Sequence, residues 1–381
     1  MLLAHKTAFA RAIGRLKRAI KVLTASGGIV APTRLLVAAS GTGGHLFPAL
    51  AVAEQLSDWE IEWLGVPNRL ETKLVPACYP LRTVPVEGLQ SRSPLRLLRA
   101  LGLLGLSTLQ VWRLLRDRRV DIVFTTGGYI AAPAIVAARQ LRIPALLHES
   151  NAIPGRVTRW LGPQCQTVAL GFADAAKRLP RCQTVWTSTP VRERFRSPQP
   201  LALPVPENAP LIAVVGGSQG AVAVNRLVRA CAPAWFAAGA TVVHLTGERD
   251  PDAGTMKHPQ YVELPFYDNV AGLFQRADLA VSRAGAGTLT ELAFTRTPSV
   301  LIPFPFAADD HQAYNAAAFA SAGAAVVLSQ ANLERDHLQT AVLELLGDRE
   351  RRAAMAARAA SLAVPESAEQ LAALVRAAVE R

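Results

Sequence analysis

Short apolar runs alternate along the chain with glycine-rich turns and with stretches of helical period. The runs LLVAAS from Leu35, IEWLG ending at Gly65, DIVFT from Asp121 to Thr125, ALLHES leading to Asn151, LIAVV from Leu211, Leu279 to Val281 and Ser299 to Pro303 are strand-length and apolar nearly throughout. A strand covered on both faces reads this way, because neither set of alternating side chains meets water. Strand, glycine loop and helix recurring in that order predict a parallel sheet with crossover helices. After a proline-rich stretch, LIAVVGGSQGAVAVN restarts the pattern of LLVAASGTGGHLFPA. Two doubly wound, Rossmann-like α/β domains facing across a cleft are therefore expected. Residues 34–190 form the first and 211–360 the second, with 191–210 as linker. Within the first domain a helix is expected from about Phe47 to Leu56. Residues 336 to 381 read as helical with a kink at Pro365, and 361–381 as a C-terminal helix able to return to the first domain.

The stretch from Leu279 to Asn315 carries the densest chemistry, because it reads as two consecutive βα units. The first strand runs into Arg283-Ala-Gly285-Ala-Gly287, and Thr288 opens a helix with Glu291 in its first turn. The second ends in a Pro/Phe-rich loop, then Asp309-Asp310-His311-Gln312, with a helix from about Ala313. Two helix N-termini opening from neighbouring parallel strands present unpaired N–H groups and positive dipole ends to one crevice, which suits a diphosphate. Glu291 and Gln312 are then left for neutral hydroxyls, so the expected ligand is a nucleotide sugar. The competing reading, of ordinary βα turns with ordinary acidic caps, loses ground to the other glycine loops, Gly41-Thr42-Gly43-Gly44-His45, Gly127-Gly128-Tyr129 and Gly216 to Gly220.

A nicotinamide-binding domain would place an acid near the end of the second strand. Gly65-Val66-Pro67-Asn68 has none, and the first loop lacks the third glycine of G-x-G-x-x-G. The four cysteines show no C-x-x-C or metal-like spacing, which argues for a reducing compartment and small core hydrophobes. Asp250-Pro-Asp252 spells the D-x-D of metal-dependent transferases of another fold, but it sits in a charged loop after a strand and reads as structural. No metal site and no protein-bound cofactor are expected.

Charge divides the chain. Residues 1–190 hold 24 Lys and Arg against 10 Asp and Glu, whereas residues 191–381 hold 17 against 19. The first half should therefore meet something anionic, and without an aromatic-basic RNA motif or zinc finger a membrane surface is favoured over a nucleic acid. Residues 1–33 carry six basic residues and no acid, but the bases interrupt any signal-peptide core. They read as a basic extension lying on a membrane, or as a loose tail or a misassigned start. In residues 88–119, Arg92, Arg96, Arg99, Arg113, Arg116, Arg118 and Arg119 surround LLRALGLLGLSTLQVW. The apolar part is too short to span a bilayer and suits an interface with anionic head groups; a connecting helix with a solvated basic face is the alternative.

The motifs SGTGGHLFPALAVAE, TTGGY, LLHESN, TPVR, GGSQGA followed by Asn225, SRAGAGTLTE and PFPFAADDHQAYNA, in this order, are joint rather than individual signals. Over about residues 34 to 375 the chain resembles the MurG family, UDP-N-acetylglucosamine transferases that act on undecaprenyl-pyrophosphoryl-N-acetylmuramyl-pentapeptide in peptidoglycan synthesis. The resemblance implies the GT-B arrangement and a peripheral place on the cytoplasmic face of the inner membrane. It implies that Arg192 and Ser218, with Gln219 and Gly220, hold the donor pyrophosphate, which a backbone nest and one cation suit. Gly287, Thr288 and Leu289 would line the donor site, Glu291 would grip the ribose and Gln312 the sugar hydroxyls. Thr42, Gly43, Gly44 and Asn151 would reach across from the first domain, and the backbone near Tyr267 would meet uracil. Ser40 stands where many members have Gly, and Thr189 where Asn is usual; neither removes a needed group.

The implied reaction is an inverting displacement at the anomeric carbon, with a base taking the proton of the incoming 4-hydroxyl as UDP leaves. Among the histidines, His45 lies in a glycine loop at a helix N-terminus, which favours the neutral, basic imidazole. It is the first candidate for general base, the alternative being a group that only binds acceptor or holds the loop. Glu149 is the second candidate, unless it braces the HESN loop. Gly127, Gly128 and Tyr129 would hold the acceptor pyrophosphate, while His311 would orient Gln312 or cap a helix. A transferase acting on a glycerolipid shares the donor half and the basic patch. A nucleotide-sugar or RNA-binding protein without catalysis needs no base and leaves the ordered cleft motifs unexplained.

Overall fold

The computed structural model describes residues 32–88, 93–217 and 220–380. Most of the basic extension and part of the 88–119 stretch lie outside them. The first domain runs β1 (Arg34–Ala38), α1 (Gly43–Glu54), β2 (Glu60–Gly65), α2 (Glu71–Leu74), β3 (Leu81–Thr83), α3 (Pro94–Asp117), β4 (Ile122–Thr125), α4 (Ala131–Gln140), β5 (Ala145–Glu149), α5 (Arg156–Leu161), β6 (Thr167–Leu170) and β7 (Thr184–Trp186). The second runs β8 (Leu211–Val215), α6 (Val222–Ala237), β9 (Thr241–Leu245), β10 (Tyr261–Leu264), α7 (Val270–Arg276), β11 (Leu279–Ser282), α8 (Ala286–Thr295), β12 (Ser299–Leu301), α9 (His311–Ser321), β13 (Ala325–Val327), α10 (Arg335–Gly347), α11 (Arg349–Ser361) and α12 (Ser367–Val379).

Every strand pairing is parallel, in the orders β3-β2-β1-β4-β5-β6-β7 and β10-β9-β8-β11-β12-β13. Chain direction across the sheet reverses between β1 and β4 and again between β8 and β11. At such a reversal the following loops diverge to opposite faces and leave a crevice at the carboxyl ends of the strands. The glycine loops lie after β1, β4, β8 and β11, so all of them open onto these crevices.

The continuous apolar character of the strands has the expected cause. In β1, Leu35 and Val37 pack on one side with Leu46, Val52 and Phe124, while Leu36 and Ala38 pack on the other with Val111, Leu115 and Ile135. In β8, Ile212 and Val214 meet Val228 and Trp235, whereas Leu211 and Ala213 meet Leu273 and Leu292. The C-terminal helix α12 returns to the first domain. Leu371, Ala372, Val375 and Ala378 complete the core against Leu35 and Phe124, and Arg376 pairs with Asp58 over the Trp59 ring.

Local boundaries differ from the sequence expectation where packing overrides propensity. Helix α1 begins at Gly43, ahead of Phe47, although two glycines are poor helix formers. The C-terminal region is broken twice instead of kinked: Asp348 caps α11 by accepting from Arg351 N, and residues 362–366, with Pro365, separate α11 from α12. Val191 and Phe195 are buried in the second core and Leu201, Leu203 and Val205 pack against it, so the proline-rich stretch follows the surface of the second domain.

Helix α3 buries Ala100, Ser107, Val111 and Leu115. Its other side exposes Leu95, Leu98, Leu101, Leu106 and Leu109, with Leu95 80% exposed. Among the described residues no helix is long and apolar enough to cross a membrane.

Candidate active site

The first-domain half of the cleft is built on two glycine turns. Gly41 has φ +101°, Gly127 +88° and Gly128 +73°, conformations costly for any residue with a Cβ. Thr42 is the exposed N-cap of α1, with Gly43, Gly44 and His45 in its first turn. The His45 ring reaches the next loop, placing Nδ1 2.7 Å from the Thr126 carbonyl, and Thr126 Oγ1 donates back to the His45 carbonyl at 2.9 Å. A carbonyl only accepts, so Nδ1 carries the hydrogen and Nε2 of the neutral ring bears the lone pair. A Cβ at Gly128 would lie 3.6 Å from Nε2, so this nitrogen faces the Gly127-Gly128 turn. Tyr129 is half-exposed on the same loop, its ring packed where a Cβ on Gly88 would fall, and burial raises its phenol above the ordinary tyrosine range.

One buried carboxylate outside the motifs holds this loop. Glu71, from the connection between β2 and β3, accepts from Ser40 Oγ, from Gly41 N at 3.2 Å and from Val66 N at 2.7 Å. It fills the place where a Cβ on Gly65 would come within 2.6 Å of Glu71 Cγ. A Glu in a polar run after a strand gives no local signal of this; Ser40 at a position where glycine is common was the visible hint, since its hydroxyl is one of the three donors.

The second base candidate, Glu149, is held by the loop that follows its strand. Glu149 Oε1 accepts from Asn151 N and Nδ2, at 3.0 and 3.2 Å, and Oε2 from Gly155 N and Thr158 Oγ1, at 2.9 and 2.6 Å. A carboxylate with both oxygens so engaged braces the loop. Asn151 is also occupied, for its Oδ1 accepts from Asn315 Nδ2 at 3.2 Å. Asn315, fully buried on α9, bridges the domains: its Oδ1 accepts from Ala152 N at 2.8 Å and its Nδ2 donates to the Ala284 carbonyl at 3.1 Å. Beside it Arg159 pairs with Asp309 across the cleft.

In the second-domain half, Gly217 and Gly220 have φ +92° and +76°, and a Cβ at Gly220 would come within 2.5 Å of the Thr246 carbonyl. Ser218 and Gln219 lie outside the described residues. Asp250 and Asp252 are both engaged by side chains of α6. Arg229 pairs with Asp250 and Glu263, Arg226 with Asp252, and Asn225 Nδ2 donates to Asp250 at 2.9 Å. The D-x-D spelling is thus taken up by these side-chain contacts.

Helix α8 begins at Ala286, two residues before Thr288, which moves Glu291 from the first turn to the second. Gly287 faces the first domain so closely that a Cβ there would lie 3.8 Å from Gly44 Cα. The N-termini of α1 and α8 therefore converge. Thr288 is half-buried at this end, whereas Leu289 is not a cleft residue: its side chain is in the core and its N–H donates to the Gly285 carbonyl at 3.0 Å. Arg192 Nη2 lies 3.3 Å from Glu291 Oε1, and the guanidinium sits 4.0 Å above the Phe47 ring and 5.1 Å from that of Phe195. Burial pushes the Glu291 carboxyl up to about 7, against the pull of Arg192 toward ionisation. Arg283 is a pillar, donating to the carbonyls of Ile302 and Pro303. Gln312 Oε1 accepts from Phe304 N at 2.9 Å, and His311 Nδ1 lies 2.9 Å from the Ala308 carbonyl, holding the turn rather than Gln312. Tyr267 packs against the second core with its hydroxyl buried.

The N-terminal domain of glycosyltransferase family 28 matches residues 35–170 and its C-terminal domain residues 211–371. The chain belongs to this family. Among similar proteins are the UDP-N-acetylglucosamine--N-acetylmuramyl-(pentapeptide) pyrophosphoryl-undecaprenol N-acetylglucosamine transferases of Synechocystis sp. and Rippkaea orientalis. They are 60% and 62% identical, over 92% and 91% of this chain and 99% of each relative. The crystal structure of Acinetobacter baumannii MurG superposes with TM-score 0.74 at 31% identity, over 91% of this chain and all of that one. The calicheamicin glycosyltransferase CalG4, at 17% identity and TM-score 0.69, shares the fold. The chain is thus a MurG-type member of glycosyltransferase family 28, matched over both of its α/β domains.

Proposed function

We propose that this protein transfers N-acetylglucosamine from UDP-N-acetylglucosamine, with inversion, to the 4-hydroxyl of undecaprenyl-pyrophosphoryl-N-acetylmuramyl-pentapeptide, lipid I, giving lipid II. The observation that carries the reading is the convergence of the α1 and α8 N-termini, with the lone-pair nitrogen of His45 on one side and Arg192 and Glu291 on the other. His45 Nε2 takes the hydroxyl proton as the acceptor oxygen bonds to the anomeric carbon. The bond from that carbon to the diphosphate breaks, and the charge gathering on UDP meets helix N-termini and the Arg192 guanidinium. Gly127, Gly128 and Tyr129 receive the acceptor's pyrophosphate, Glu291 the ribose and Gln312 the sugar hydroxyls. Incubation with UDP-N-acetylglucosamine and either lipid I or a diacylglycerol acceptor, followed by UDP release, tests the acceptor. Turnover on the glycerolipid alone overturns the assignment.

The protein works at the cytoplasmic face of the inner membrane as a peripheral protein, with α3 as its contact. The exposed leucines of α3 lie on a helix that also carries Arg96, Arg99 and Arg113, a combination suited to anionic head groups over an apolar boundary. Binding to vesicles containing anionic phospholipid is expected to fall steeply with salt, and to fall again when Arg96, Arg99 and Arg113 are neutralised together. Deletion of residues 1–30 should weaken it less. Salt-independent binding, or none, removes the membrane contact from the reading.

A further inference from the structure

The first crossing of the chain between the domains runs through Thr187, Ser188 and Thr189, all buried. Ser188 has φ +60°, a conformation L-residues avoid unless their surroundings impose it. Here the surroundings are two donors on one carbonyl. His148 Nε2 lies 3.0 Å from the Ser188 oxygen and Thr187 Oγ1 lies 3.1 Å from it. His148 is fully buried on β5, with Nδ1 3.4 Å from Ser150 Oγ. Since the carbonyl accepts, Nε2 carries the hydrogen and Nδ1 takes that of Ser150, an arrangement for a neutral ring. Burial depresses His148 to about 4, in keeping with that state at neutral pH.

From Ser188 the path to Arg192 is short and stiff, through buried Thr189, Pro190 and Val191. Arg192 then stands between the Phe47 ring of one domain and Glu291 of the other. We propose that His148 is a positioning residue for sugar transfer: by donating to the Ser188 carbonyl it sets the interdomain crossover so that the Arg192 guanidinium stands where the donor's diphosphate binds. This rests on the reading of Arg192 as the diphosphate cation.

The test compares His148→Gln, whose amide nitrogen reaches the place of Nε2, with His148→Asn, whose amide reaches that of Nδ1. Both are neutral and polar, so a difference between them reports reach to Ser188. By calorimetry, His148→Asn is expected to bind UDP about tenfold more weakly, the scale of one hydrogen bond at a charged site, and His148→Gln within about threefold of wild type. Uridine, which lacks the diphosphate, should bind both variants like wild type. In an Arg192→Ala background His148→Asn should add less than about twofold, because the two act on one contact. Wild-type UDP affinity in His148→Asn, equal losses for UDP and uridine, or full additivity with Arg192→Ala each overturns the positioning role. If Arg192→Ala alone leaves UDP binding unchanged, the reading of Arg192 fails first and this inference falls with it.

Discussion

His45→Ala is expected to lower kcat about a hundredfold or more while leaving UDP affinity nearly intact. The separation follows from the two-domain division: the imidazole belongs to the first domain, at the start of α1, whereas Arg192 and Glu291 gather on the second. Wild-type kcat should rise with pH through one ionisation, and that limb should be missing in the variant. A carboxamide does not ionise in this range, so His45→Gln should not restore the limb, although its amide can still hydrogen-bond an acceptor. If His45 only orients the acceptor, the acceptor KM rises and the limb stays. Wild-type turnover in His45→Ala at saturating substrates would send the search for a base elsewhere, and not to Glu149, whose oxygens are already engaged by four donors.

The second large effect concerns the pair proposed to face the donor. Arg192→Ala should weaken UDP about ten- to a hundredfold and leave uridine nearly unchanged, since a charge-assisted contact to phosphate contributes about 1.5–3 kcal/mol. Glu291→Ala should weaken uridine as well, because the ribose is its proposed partner. Calorimetry with the two ligands separates these routes, and wild-type UDP binding in both variants would remove the donor from this part of the second domain.

Glu291 also predicts a pH dependence of the ligand-free protein. Its folded carboxyl titrates near 7, above the ordinary 4.5 of the unfolded chain, so between these values the folded state holds a proton that the unfolded state has lost. This contribution to stability is fully present below about 4.5 and is lost as pH rises through about 7, by up to roughly 3 kcal/mol. Urea unfolding of wild type and Glu291→Gln across pH 5 to 8 reads the difference. Equal slopes would mean that Glu291 is ionised throughout. In Arg192→Ala the carboxyl loses the cation that favours ionisation, so the window should move upward.

Period and punctuation in the sequence determined the architecture. Apolar strands such as Leu211–Val215 announce a sheet covered on both faces, and glycines such as Gly127, Gly128 and Gly220 announce turns of positive φ that a residue with a Cβ adopts only under strain. These are local properties, because burial on both faces and a positive φ each restrict residue type at the position itself. The family resemblance was legible for the same reason: the motifs are the loops at the strand ends, written in chain order, and the match over both domains agrees with it.

Tertiary structure decided what depends on partners distant in sequence. Glu71 braces the Gly41 turn from 30 residues away, and Asn315 reaches Asn151 from 164 away. No periodicity encodes such pairs. The same holds for Glu149, which is a brace because four donors converge on it, and for Leu289, whose place on α8 turns it into the core although its neighbour Thr288 remains at the cleft end. The charge states were likewise set by packing. Glu291 is held near 7 and His148 near 4 by burial, and burial is a sum over all the elements that fold around a group. Residue type states what a side chain is able to do, and the number of its hydrogen-bonding sites already taken by the fold determines what it is left free to do.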